Sequence, residues 1–330
     1  MVDPLASAAP LVEAREVSKI FAAKSGISAL SGTRYVRAVD RASLAIGPAE
    51  TVGLVGESGC GKSTLGRVMI GLERPSAGSV VFEGVNLTAL SAHRLRRSRR
   101  HMQIVFQDPA SSLDPRYTVR DTITEAIRAH HSRLPRRKLA ANLAALLDMV
   151  GLPLTSLSRL PHELSNGERQ RIAIARALAV APRFIVADEP VASLDVATQA
   201  QIVGLLADLQ RELGVAFLFI AHDLEVVRFL CHRVAVMYLG RIVELAPVDA
   251  LFDRSRHPYT RALMAAVLSP DPDLRREPVL LHGDPPSPLD PPKGCHFHPR
   301  CRHAQVRCSL LGPDLREAAP GHLVACHFDL

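Results

Sequence analysis

The stretch Gly56-Glu57-Ser58-Gly59-Cys60-Gly61-Lys62-Ser63 constrains this chain more than any other. A short apolar run, Glu50–Val55, precedes it and reads as a buried strand. Thr64–Gly71 follows, with the apolar spacing and closing glycine of a helix. A strand, a glycine-rich turn and a helix in that order form a loop built for phosphate. Glycines let the backbone wrap until successive N–H groups point inward, and the positive end of the following helix adds to the pull on an anion. Gly56 through Thr64 are therefore the candidate cofactor-binding stretch. Lys62 is expected to reach the β- and γ-phosphates of a nucleotide, and the Ser63 hydroxyl to ligate Mg2+. An ordinary glycine turn is the bland reading, and the strand–loop–helix context disfavours it.

The rest of the chain suits such a loop. Gln103–Phe106, Phe184–Ala187, Val215–Ile220 and Val234–Met237 are short apolar runs that read as buried strands. Lys138–Val150, closed by Gly151, and Val196–Leu213 read as helices. Alternating strands and helices predict a layered α/β domain around a mostly parallel sheet. The strand at 184 ends in Asp188 and Glu189. Asp188 is placed to hold the metal's coordination shell, and Glu189 to orient and deprotonate an attacking water. Leu164-Ser165-Asn166-Gly167-Glu168 opens the apolar helix IAIARALAV. Ser165 caps that helix, whose free N–H groups could bind a second anion. A plain capping box, S-x-x-E, explains the same residues equally well.

In this order (phosphate loop, Gln107, Leu164–Glu168, Asp188-Glu189, Ser193-Leu194-Asp195, His222) the sequence resembles the nucleotide-binding subunits of ABC transporters. GLVGESGCGKSTLGR, VFQDPASSLDPR, HPYTRALM and GCHFHPRC narrow the resemblance to the ATPase subunits of oligopeptide and dipeptide importers. It spans roughly residues 11–327. It implies an ABC-type domain, a mixed-sheet core with a helical signature subdomain, over 11–255, and an oligopeptide-transporter-type extension over 256–330. It also implies a head-to-tail nucleotide sandwich in which each ATP, with Mg2+, lies between one chain's phosphate loop and the other's signature. Gln107 would sense metal and attacking water, His222 would contact the γ-phosphate, and Asp195 would cross the dimer interface. The implied catalytic group is Glu189, His222 and Gln107, with Mg2+ held by Ser63, Gln107 and Asp188. Ser165 and Gly167 would contact nucleotide across the interface. Phe21 is the candidate to stack on adenine, with Tyr35 the fallback and a core position for Phe21 the alternative.

One departure stands out. The family's usual Ser-Gly-Gly-Gln is here Ser165-Asn166-Gly167-Glu168, so the composite site using this signature is expected to be the weaker of two. The implied partners are a second ATPase subunit in a heterodimer, two transmembrane permease subunits and an extracytoplasmic solute-binding protein, with this chain peripheral on the cytoplasmic face. Peptide is the implied cargo. Nickel, glutathione or another solute, or a soluble ABC-type ATPase, are the alternatives.

Composition closes off other classes. Of 330 residues, 47% are hydrophobic and 22% charged, too apolar for wholesale disorder. The longest apolar runs, such as Val215–Ala221, fall far short of a membrane span of about 18 residues, and the N-terminus lacks a secretory pattern. The net charge is +7, and arginines gather at His93–His101 and Arg133–Lys138. No aromatic residues interleave there, so nucleic acid is not the expected partner and solvated faces are. Ser269–Lys293, dense in proline, reads as a linker or wrapping segment. Beyond it Cys295, Cys301, Cys308 and Cys326 suggest a small cysteine-rich module. Four clustered thiols in a reducing compartment predict a [4Fe–4S] cluster, with Zn2+, sharing neighbouring histidines, or a metal-free structural module as the alternatives.

Overall fold

The computed structural model describes residues 9–23, 34–130, 134–266 and 283–329. Most of the proline-rich stretch (269–282), Arg133 and the start of the chain (1–8) lie outside the described residues. Strands along the chain are β1 (Val12–Ala23), β2 (Arg34–Ile46), β3 (Thr51–Val55), β4 (Ala77–Phe82), β5 (Val85–Asn86), β6 (Met102–Val105), β7 (Phe184–Asp188), β8 (Ala216–Ile220), β9 (Arg233–Tyr238), β10 (Arg241–Pro247), β11 (Arg316–Ala319) and β12 (His322–Val324). The chain forms two compact units. One comprises residues 1–12, 46–51 and 82–221, and the other 13–45, 52–81 and 222–330.

In the first unit β6, β7 and β8 run parallel, with Met102 opposite Phe184 and Phe184 opposite Ala216. Every residue of β7 and β8 is buried. That is why these strands read as unbroken apolar runs rather than alternating ones: a parallel strand is covered on both faces. Helix Asn166–Leu178 packs against Val119–His130 and Arg136–Met149, and the Arg176 guanidinium donates to Ser112 O at 2.5 Å. The helix over 196–213 forms as the sequence predicts, capped by Asp195 and stopped by Gly214 at φ 61°. The arginine-rich stretch from His93 is a short, largely exposed helix anchored by buried Leu95.

In the second unit β1 lies between β2 and β4, an arrangement the sequence did not announce. β3 pairs in parallel with β9. A tight turn, Leu239 at φ 41° and Gly240 at φ 81°, returns the chain as antiparallel β10. The cysteine-rich tail is not a separate module: β12 pairs antiparallel with β10, and β11 with β12. Phe297 is buried against Tyr238 and Tyr259, with ring centroids 5.3 and 5.5 Å away. Apolar burial and strand pairing thus hold the tail where a metal staple had been expected.

Glu244, fully buried in β10, is the polar centre of this arrangement. Its carboxylate accepts from the Arg256 and His257 amides at 2.6 and 3.0 Å and pairs with His322 Nε2 at 2.7 Å. One side chain therefore anchors both the start of helix Pro258–Ala265 and strand β12. Burial works to raise its pKa, but the His322 contact and the amide donors outweigh that and lower it.

The neighbouring His257 is enclosed, its Nδ1 accepting from the Tyr259 amide at 3.1 Å. Burial pushes its pKa down to about 4, against the pull of Glu244. An unfolded histidine binds a proton near pH 6.5, so between pH 6.5 and about 4 the unfolded chain takes up a proton the folded chain refuses. Stability present above pH 6.5 should fall through that window by up to about 3 kcal/mol from this group. Glu244 acts in a lower window: its contribution is present above its unfolded value near 4.5 and lost as pH falls through the lower folded value. Denaturant melts of His257→Asn should show a shallower slope from pH 6.5 to 4 than wild type, and an unchanged slope below it.

Candidate functional site

The phosphate loop belongs to the second unit. Gly56 sits at φ 151° and Gly61 at φ 108°. A Cβ on Gly56 would lie 2.2 Å from Met237 O, and one on Gly61 would lie 2.0 Å from Ala38 O. Both positions demand glycine because backbone passes directly alongside. Ser58 and Gly59 are exposed, and a Cβ on Gly59 would meet nothing within 4 Å. The loop thus presents an open side. Lys62 begins the helix, is 5% exposed, and donates to Gly56 O at 2.8 Å and Glu57 O at 3.1 Å. Its ammonium is folded over its own loop. The Cys60 thiol lies 4.0 Å from Lys62 Nζ; burial pushes its pKa up, with Lys62 opposing. Ser63 and Thr64 are half-buried at the helix start.

The loop is held from further along the chain. The Glu57 amide donates to the Tyr259 hydroxyl at 2.9 Å, and Arg300 Nη1 reaches both Glu57 carboxylate oxygens at 2.9 and 3.0 Å. Tyr259 lies in HPYTRALM and Arg300 in GCHFHPRC, stretches whose residues point to no role for either. Tyrosine and arginine about 200 and 240 residues away carry no local pattern that links them to a loop.

In the first unit, β6 and β7 deliver Gln107 and Glu189 from adjacent parallel strands, at the carboxyl ends where such sheets bind ligands. Gln107 Nε2 donates to Glu189 Oε2 at 2.8 Å. Asp188, the last residue of β7, is buried. Glu189 turns the chain at φ 48°, a left-handed angle uncommon outside glycine, and its amide donates to Ile220 O at 3.0 Å. The backbone, not the side chain alone, fixes where this carboxylate points. His222 lies exposed two residues beyond β8. Asp188 in the first unit and Ser63 in the second each carry a hard oxygen, the donor type that Mg2+ selects.

Ser165 caps helix Asn166–Leu178 in a full capping box: its hydroxyl accepts from the Glu168 amide, and Glu168 Oε2 accepts from the Ser165 amide at 2.8 Å. The other Glu168 oxygen pairs with Arg159 at 2.8 Å. The Ser165 amide foremost, and Arg159 after it, hold the Glu168 carboxyl below its ordinary pKa. Its negative charge is therefore turned back onto the helix start. Asp195 is exposed and caps the next helix, accepting from the Thr198 amide and hydroxyl at 3.0 and 2.7 Å. A Cβ on Gly167 would lie 2.5 Å from Thr198 Cγ2, so Gly167 is small because Asp195 pins Thr198 against it. Phe21 is 37% exposed with Lys19 Nζ 4.8 Å above its ring, and Tyr35 is 61% exposed. Phe21 does not fill the core.

The expected iron–sulfur or zinc site is not supported. Cys295, Cys301, Cys308 and Cys326 are all free thiols. Burial, aided by Cys308, Cys326 and Cys301, pushes the Cys295 thiol up to about 11, so these groups feel one another. Yet among the described residues no three His, Cys, Asp or Glu side chains converge to hold a metal ion.

The packing at Gly167 yields a prediction. Gly167→Ala should destabilise the chain by about 1–3 kcal/mol through overpacking, and adding Thr198→Ser, which removes Cγ2 but keeps the hydroxyl on Asp195, should recover most of it in denaturant melts.

Comparison with known proteins extends the geometry. The ABC transporter family profile matches residues 39–192, and that of the oligopeptide/dipeptide transporter C-terminal region matches 243–308. A Brucella ovis protein named for peptide import and ATP binding is 47% identical over 317 residues, 96% of this chain and 97% of its own. The oligopeptide transport ATP-binding protein AppF of Bacillus subtilis is 46% identical over 320 residues, 96% of this chain and 97% of its own. Among solved structures, the dimeric post-hydrolysis ATP-binding cassette MJ0796 with ADP and Pi superimposes with a TM-score of 0.63 at 29% identity, over 72% of this chain and 98% of that one. Near-complete overlap at such identity, joined to a phosphate loop and acidic strand end of the expected form, places this chain in the ABC transporter family as an ATP-binding subunit.

Proposed function

We propose that this chain is the ATP-hydrolysing motor subunit of a peptide importer. The observation that carries the reading is the phosphate loop: two glycines locked by neighbouring carbonyls, an open side, and Lys62 held on loop oxygens 2.8 and 3.1 Å away. A triphosphate entering that side exchanges those carbonyls for phosphate oxygens as the partners of Lys62, while loop amides and the helix start take up the remaining charge. Glu189 accepts the proton of an attacking water, and the 2.8 Å contact from Gln107 holds its carboxylate in line. His222 meets the γ-phosphate and stabilises charge developing there. Ser63, Asp188 and Gln107 would hold Mg2+, which would supply charge neutralisation at the phosphates. Phe21 stacks on adenine, and Asp195 and the Ser165–Gly167 signature face the nucleotide of a second ATPase subunit.

The cargo reading follows from the matched C-terminal region and from relatives named for peptide and oligopeptide transport. The same relationship supports membrane permease subunits and a solute-binding protein as partners; the reading adds two permeases, a heterodimeric ATPase pair and a peripheral position on the cytoplasmic face. No helix among the described residues is long and apolar enough to cross a membrane. In this reading residues 11–255 form the ATPase domain and 256–330 its extension.

In the reconstituted complex, Lys62→Ala should abolish MgATP binding. Glu189→Gln should retain binding and lose about 100-fold or more in turnover, the scale of a missing general base; near-normal turnover removes Glu189 from that role. We also propose that Asn166 and Glu168 weaken the composite site that uses this signature. Reverting both, Asn166→Gly with Glu168→Gln, should raise the ATPase rate, and an unchanged rate rejects the idea.

A further inference from the structure

Glu57 poses an electrostatic problem. It places a carboxylate inside a loop whose task is to hold a triphosphate, and like charges at such range repel strongly where water is scarce. Arg300 answers it. Nη1 meets both carboxylate oxygens at 2.9 and 3.0 Å, with the arginine side chain 7% exposed and the glutamate 27%. Burial works against the Arg300 charge, but hydrogen bonds to Glu57 and to the Tyr238 hydroxyl keep its proton more firmly bound than usual. The guanidinium carbon also lies 5.9 Å from the Tyr238 ring centroid. Tyr259 holds the same residue by its backbone, accepting from the Glu57 amide at 2.9 Å. Tyr259 is itself fully buried, its ring 4.7 Å from Tyr238 and 5.5 Å from Phe297. Both contacts come from the region that matches the transporter C-terminal profile, and Glu57 lies in the region that matches the ATPase profile.

We infer that Arg300 and Tyr259 are positioning residues for nucleotide binding: by neutralising and fixing Glu57, the C-terminal extension sets the affinity of the phosphate loop for MgATP. The inference rests on the loop being the ATP site. An ion pair that only fastened the extension to the core would predict something different. Each side would then lose docking when truncated, and removing both would be no better than removing one. Neutralisation predicts rescue.

The test measures MgATP affinity of the full-length chain and ATPase KM and kcat of the reconstituted complex. Arg300→Met leaves Glu57 bare and should weaken MgATP binding roughly tenfold, more at low ionic strength because exposed charges are then less screened. KM should rise while kcat at saturating ATP stays within about twofold, the pattern of a lost uniform-binding contribution. Adding Glu57→Gln should restore affinity to within about twofold of wild type, and Arg300→Lys should keep most of it. Tyr259→Phe, which leaves the ring packing in place, should weaken binding about threefold, and carries the test by itself if Arg300→Met does not fold. Unmoved affinity in a folded Arg300→Met or Tyr259→Phe, or no recovery in the Arg300→Met/Glu57→Gln pair, overturns the inference. A wild-type chain that binds no MgATP overturns the loop reading together with it, so the two failures are distinguishable.

Discussion

The phosphate loop can take only one path, because carbonyl oxygens from two neighbouring strands occupy the space where side chains would go. Ala38 O and Met237 O stand about 2 Å from would-be Cβ positions on Gly61 and Gly56. Those oxygens are themselves fixed. The Asp40 amide donates to Gly240 O at 2.9 Å, and its carboxylate pairs with Arg241 at 2.6 Å, so β2 is tied to the β9–β10 turn. Glycine is thus required by neighbours whose own positions depend on a buried carboxylate and a two-residue hairpin. A loop assembled this way has little freedom to relax, which is what a site that must recognise phosphate geometry requires.

The second unit repeats the device at Glu244. A fully buried carboxylate is costly unless it is surrounded by donors. Here two amides and His322 surround it. The donors come from segments far apart along the chain, so satisfying one charge also sets where helix Pro258–Ala265 and β12 attach. Tyr259 follows directly from that attachment and reaches Glu57.

How much of this could be read beforehand depended on whether the cause was local. The loop, the strand ending in Asp188 and Glu189, and the helix over 196–213 each carry their instructions in adjacent residues, as glycine spacing, an apolar run before acids, or a cap and a stop. Gln107 and His222 acquire meaning only from the order of motifs, and the Gln107–Glu189 contact exists because β6 and β7 are neighbours. The β1–β2–β4 sheet, Glu244, Tyr259 and Arg300 act through pairings separated by tens to hundreds of residues, and no window of sequence holds both partners. The cysteines misled for the opposite reason. Closeness along the chain suggested a ligand set, but folding put the tail to use as strands and aromatic packing. Glu168 stands out in sequence only as a departure from the family's signature; that Arg159 and the Ser165 amide hold both its oxygens is visible only in the fold.

The pairing of β12 on β10 has one more consequence. Residues 242–246 of β10 are apolar apart from Glu244 and buried, and residues 323 and 324 pair along their outer row of amides and carbonyls. Without that cover, a sticky sheet border would face solvent, the kind of ribbon that recruits strands from other molecules. β12, with β11 beyond it, therefore acts as a selvedge for the fabric of the domain along this border.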